Sequence, residues 1–119
     1  MKQKRLDVTT NGSGDGTSSL VAVPGGGVVY AVQVIDGDFA DGVDLTLTAE
    51  TGDVSINILV VEDWNSDQIY YPRVLENLDT DGSALTTHCM PMVSGKLKAV
   101  IAQGGDTKTG AVLVYIIDL

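Results

Sequence analysis

The sequence is poor in the residues that most often carry chemistry. Its 119 residues include one Cys, one His, one Trp and one Phe. Cys89 alone cannot close an intramolecular disulfide, so nothing implies an oxidising compartment. There is no GxSxG, no second His for a dyad, and no carboxylate pair that stands out from the general acidity. Neither an enzymatic activity nor a cofactor is expected.

Basic charge is scarce and unevenly placed. From Leu6 to Pro72 there is no Lys or Arg, but there are Asp7, Asp15, Asp36, Asp38, Asp41, Asp44, Glu50, Asp53, Glu62, Asp63 and Asp67. The formal net charge is −9. Such a surface repels phosphate backbones, which argues against direct nucleic-acid binding. The acidity serves solubility, or it keeps the chain off packaged nucleic acid and turned towards solvent.

Long apolar runs are missing too. The uncharged stretch Gly16 to Ile35 is broken by Pro24, Gly25, Gly26 and Gly27, so no membrane span is expected. No apolar run of useful length follows Lys2, Lys4 and Arg5, so a secretory signal is not expected. The expectation is a soluble intracellular protein, or one carried in a particle made inside a cell.

What is present is alternation. Val43, Leu45, Leu47 and Ala49 fall on one side of an extended chain, with Asp44, Thr46, Thr48 and Glu50 on the other. Val54 to Val61 alternates similarly before turning wholly apolar. Val28 to Ile35 and Ala111 to Asp118 are apolar on both faces, as central strands are. The acidic turn DGDFADG and the turn ETGD separate the strands of the organising stretch, residues 28–61. Lys2 to Thr10 reads as a first strand led by a basic arm, residues 1–5. Leu20 to Val23 reads as a short strand ended by the Pro-Gly run, and Ala84 to Met92 as another, broken at Pro91. Val74 to Asp79 allows one helical turn, and Asp79 to Ser83 a turn. Lys96 to Ala102 and Ala111 to Asp118 read as a C-terminal hairpin. About eight short, mostly antiparallel strands make an all-β fold, a β-sandwich or jelly roll, in one domain spanning residues 1–119.

Candidate sites are weak as motifs. Asn11, Ser13, Asp15 and Gly16 match the start of a calcium loop, but Ala22 stands where the bidentate Glu belongs. Asp36, Asp38 and Asp41 lack the spacing of a known cation loop. No metal is expected at either. Gly25 to Gly27 lead into a strand and lack the Lys and Ser/Thr of a phosphate loop. In an extended strand, His88 and Cys89 point to opposite faces, leaving His88 structural or exposed and Cys89 a small buried hydrophobe. Trp64, Tyr70 and Tyr71 could form a subunit contact, a sugar-stacking platform or the rim of the core. Lys2, Lys4 and Arg5 form a frayed terminus or an arm that docks on an acidic partner.

The run FADGVDLTLTAETG, then YYPR, DTDGSAL and GKLKAVIAQGGDTKTGAVLVYI, resembles small structural proteins of tailed bacteriophages, in particular capsid decoration or cement proteins. The likeness covers nearly the whole chain as a pattern of strand ends and turns. Its points include Arg73, Gly104, Gly105, Lys108, Thr109 and Gly110. It implies a homodimer or homotrimer on the outer capsid surface of a virion, made in the bacterial host cytoplasm. The partners implied are the major capsid protein and the chain itself, without nucleic acid or membrane. Lys2, Lys4, Arg5, Trp64, Tyr70, Tyr71 and Arg73 are then the expected capsid or subunit interface. The alternative is a carbohydrate- or receptor-binding module of a virion, such as a head-fibre base or tail component.

Overall fold

The computed structural model describes residues 1–77 and 83–118, leaving aside the side chains of residues 75–77, 84 and 85. Among the described residues there are ten strands: β1 (Lys2–Thr9), β2 (Gly16–Thr17), β3 (Val21–Ile35), β4 (Val43–Thr51), β5 (Val54–Trp64), β6 (Gln68–Tyr70), β7 (Val74–Asn77), β8 (Ala84–Cys89), β9 (Met92–Ala102) and β10 (Thr109–Ile117). Eight form one antiparallel sheet in the order β1-β10-β3-β9-β4-β5, with β2 added on β9 and β6 on β3. β7 and β8 pair only with each other. The all-β class expected from alternation holds, and the arrangement is consistent with a β-sandwich.

Strand β3 makes the sandwich. Its first half, from Val21, pairs with β9, and its second half pairs with β10 and β6. The register against β9 breaks between Val23 and Gly27. Gly25 and Gly26 take positive φ there, at 78° and 67°, a conformation closed to most side chains. The Pro-Gly run therefore does not end a strand, as its composition suggested. It bends one long strand across the two layers, as corner strands do.

Inner side chains from both halves meet in one cluster. Leu6 and Val8 of β1, Val29, Val32 and Val34 of β3, and Val112, Val114 and Ile116 of β10 line one layer. Val43, Leu45, Leu47 and Ala49 of β4 and Leu97, Ala99 and Ile101 of β9 line the other. Fully burying such an aliphatic side chain stabilises the fold by about 1.5–3 kcal/mol relative to leaving it exposed. At 111–114 strand β10 is buried on both faces, which suits its central place. At Gly37 (φ 58°) the acidic turn passes against the Thr109 carbonyl, where a Cβ would collide.

Several expectations are corrected. Residues 2–5 are not an arm, because Lys2 to Arg5 pair with Ile116 to Leu113 as the first half of β1. β9 and β10 do not form a hairpin: β9 pairs with β2, β3 and β4, and β10 with β1 and β3. Residues 74–77 are strand, not a helical turn. Cys89 is exposed, not buried. The turn expected over 79–83 lies outside the described residues except for Ser83. No helix among the described residues is long and apolar enough to cross a membrane.

Candidate functional site

The outer side of the β1-β10-β3-β6 layer carries an apolar hollow. It has a volume of about 180 Å³ and is lined by Met1, Tyr30, Ala31, Ile69, Tyr71 and Tyr115. Strand parity explains half of this set. Tyr115 lies opposite Ala31, and Ile69 opposite Gln33. The intervening Val32 faces the core, so these four residues share the outer face.

Tyr30 joins them through an irregularity. The β3–β10 register shifts between Tyr115 and Ile116, which pair with Ala31 and Val29, leaving Tyr30 as the extra residue. A bulge of this kind re-aims a side chain and strands its backbone groups. Arg73 takes up that loose end: its Nη1 donates to the Tyr30 carbonyl at 3.3 Å and to the Pro72 carbonyl at 2.6 Å. The Tyr30 and Tyr71 rings then meet edge to face, 5.8 Å between centroids and 83° between planes. Beside them the Tyr115 hydroxyl donates to Gln33 Oε1 at 2.9 Å.

Of the residues expected at an interface, Tyr71 and Arg73 stand here, both exposed. Tyr70 is half-buried and packs against the core, and its hydroxyl donates to Gln68 Oε1 at 3.1 Å. Trp64 is elsewhere. It is only 4% exposed and packs edge to face on Phe39 at 6.0 Å, so it cannot offer a surface for stacking. Lys2 and Lys4 share the inward parity of Leu6 and lie half-buried at its rim. Lys2 Nζ bonds the Pro24 carbonyl at 2.9 Å and Asp118 at 2.8 Å, which holds the Asp118 carboxyl below its ordinary pKa. Arg5 points to the outer side and bonds Asp7 at 2.9 Å. Tyr30, Ile69 and Tyr115 were not foreseen. Parity could have placed Tyr115 outside, opposite to Val114 and Ile116, but the bulge that turns Tyr30 outward leaves no local sequence signal.

The acidic turns are occupied with internal bonding. Asp38 Oδ1 accepts from Thr109 N–H at 2.6 Å, which lowers its pKa. Asp36 N–H donates to Asp67 Oδ1 at 2.8 Å. Burial, then the charges of Asp67, Asp41 and Asp38, raise the Asp36 pKa, and the neighbouring Trp64 indole partly offsets this. Asn11 Oδ1 accepts from the Ser13 and Asp15 N–H groups, at 2.8 and 3.2 Å, so it shapes its own turn. Among the described residues no group of three or more His, Cys, Asp or Glu side chains is placed to hold a metal ion. His88 and Cys89, adjacent on extended β8, lie opposite Leu75 and Val74.

Comparison with known proteins finds no matching family model, no matching curated protein and no matching solved structure.

Proposed function

We propose that this chain is a structural virion protein: a decoration or cement protein that binds the outer surface of a phage capsid and bridges major capsid subunits. The observation that carries the reading is the tyrosine-lined face on a rigid β layer. Tyr, Met and Arg are the residue types enriched at interface centres, and Lys, Glu and Asp are depleted there. Tyr30, Tyr71, Tyr115, Met1 and Arg73 gather on this face, and among the described residues no carboxylate lines its hollow. The pattern of strand ends and turns that resembles cement proteins supports the same reading.

A cement protein needs adhesion, not a reaction. Each copy can bind modestly, because several contacts on one shell raise the effective concentration. Whatever binds only the assembled shell stabilises it by mass action. The acidic remainder of the surface would keep such a protein off DNA.

The test is titration of purified protein onto undecorated expanded capsids. Saturable binding that Ile69→Asp abolishes is the expected result; an absence of saturable binding ends the proposal. A second reading, a glycan- or receptor-binding module of a virion, draws on three tyrosines around one hollow. Recognition on a glycan array that Tyr71→Ala removes would favour it, and a flat array would argue against it.

A further inference from the structure

Both ends of the main sheet are open. Among the described residues β1 has a strand neighbour on one side only, β10, and β5 likewise has only β4. On β1, the Thr10 N–H continues the ladder to the Lys108 carbonyl, and the pairing from Lys2 to Thr9 shows no shift. Backbone groups alternate in direction along an antiparallel strand, so those of Gln3, Arg5 and Asp7 turn away from β10. Gly16 packs against the Thr9 carbonyl, which closes the edge beyond Asp7. The β5 edge differs in character. Val54, Ile56 and Val60 are exposed on it, and its register against β4 shifts at Ile58 and again at Glu62 and Asp63. An uncovered apolar edge strand is a template for another chain.

The two edges carry opposite charge. Lys2, Lys4 and Arg5 hold three of the seven basic residues on β1, while the charges of β5 are acidic only. Glu62 makes no ion pair among the described residues, and Arg5 holds the exposed Asp7 of its own strand at 2.9 Å, a pair that solvent screens. Pairing β5 with β5 would set acid near acid, and pairing β1 with β1 would leave the β5 edge uncovered.

We infer that the chain assembles with a second copy of itself by strand addition: the β1 edge of one copy pairs antiparallel with the β5 edge of the next, and Arg5 faces Glu62 of that neighbour. Parity fixes the register. Leu6 set opposite Val61 continues the core face of each copy across the junction, since Leu6 is buried and Val61 packs on the core. Arg5 then falls opposite Glu62 on the outer side, just before the bulge at Asp63. Sliding the pair by one residue turns core side chains to solvent. Sliding it by two parts Arg5 from Glu62. The contact is heterologous, so each copy uses both edges, and the chains close into a ring or run on as a filament. It needs no capsid and is independent of the function proposed above.

Sedimentation velocity of the full chain in low salt, from about 1 to about 500 µM, tests it. The wild type should associate reversibly. Arg5→Glu and Glu62→Lys should each weaken association about tenfold or more, and the double variant R5E/E62K, whose charges face each other in the reversed sense, should restore it. Melting curves establish that each variant is folded; should one not be, Arg5→Gln and Glu62→Gln serve instead, each expected to weaken association by a smaller factor. A wild type that stays monomeric throughout overturns the inference. So does a Glu62 variant that associates as well as wild type, which would mark β1–β1 pairing, or a double variant no better than the singles.

Discussion

The Arg73 guanidinium donates to the carbonyl of Tyr30, 3.3 Å away, and so satisfies the backbone group that a bulge withdraws from its strand ladder. A residue expected at a contact surface thus has a second duty, holding in place the ring that Tyr71 meets edge to face. Arg73→Ala should cost about 1 kcal/mol of stability, the usual net worth of one hydrogen bond. It should also weaken capsid binding. Arg73→Lys keeps a donor of similar reach and should recover part of both. Urea titration and capsid-binding isotherms of the two variants check this.

Tyr71 is 56% exposed. Its truncation should leave stability within about 0.5 kcal/mol, as surface substitutions usually do. An aromatic at the centre of an interface commonly contributes more than about 1.4 kcal/mol to binding, or tenfold in affinity. Tyr71→Ala should therefore separate the two quantities: an unchanged melting temperature beside a capsid affinity at least about tenfold lower.

Trp64 should behave in the opposite way. Trp64→Ala removes a buried ring from its packing on Phe39 and should destabilise the fold by about 3–5 kcal/mol. The fraction that remains folded should bind capsids as tightly as wild type. Equilibrium unfolding followed by binding at a temperature where the variant is folded distinguishes this from a contact role.

Asp36 and Asp38 lie two residues apart and should respond to pH with opposite sign. The folded state raises the Asp36 pKa through burial and the charges of Asp67, Asp41 and Asp38. Its ionised form is therefore less favourable folded than unfolded, a penalty that is complete above the folded pKa and vanishes below the unfolded value. Asp36→Asn should raise the melting temperature at pH 7, and the gain should fade in acid. Asp38 is lowered by the Thr109 N–H, so its contribution is present above the unfolded pKa and lost as pH falls through the folded one. Asp38→Ala should lower the melting temperature at pH 7 and matter little below the folded pKa. Thermal melts from pH 3 to pH 7 resolve both slopes.

Local alternation made much of this fold legible. Val43 to Leu47 alternates in sequence and alternates in burial, because a strand between a core and solvent has no other way to place those side chains. The apolar run Ala111 to Val114 announced a strand covered on both faces, and β10 is one. What escaped was long-range. A Pro-Gly run looks the same whether it ends a strand or bends it between layers, and the difference rests on β9 pairing on both sides of the bend and β10 taking over from Val28. Likewise, the short Gly-rich turn before β10 suits a hairpin, yet β9 and β10 lie in different layers. Trp64 carries no sign of burial among its neighbours Glu62, Asp63, Asn65 and Asp67. It is buried because Phe39, 25 residues earlier, supplies the other half of its packing. The candidate face was half legible: YYPR pointed to Tyr71 and Arg73, while Tyr30 enters only through a bulge set by the partner strand.

Adhesion through the tyrosine face is tested most directly by imaging expanded capsids before and after the purified protein is added. The expected difference is new density on the outer shell alone, oriented so that Tyr30, Tyr71 and Tyr115 lie against capsid subunits. Density inside the shell, or outer density attached through the Asp36–Asp41 turn with the tyrosines facing solvent, would contradict it.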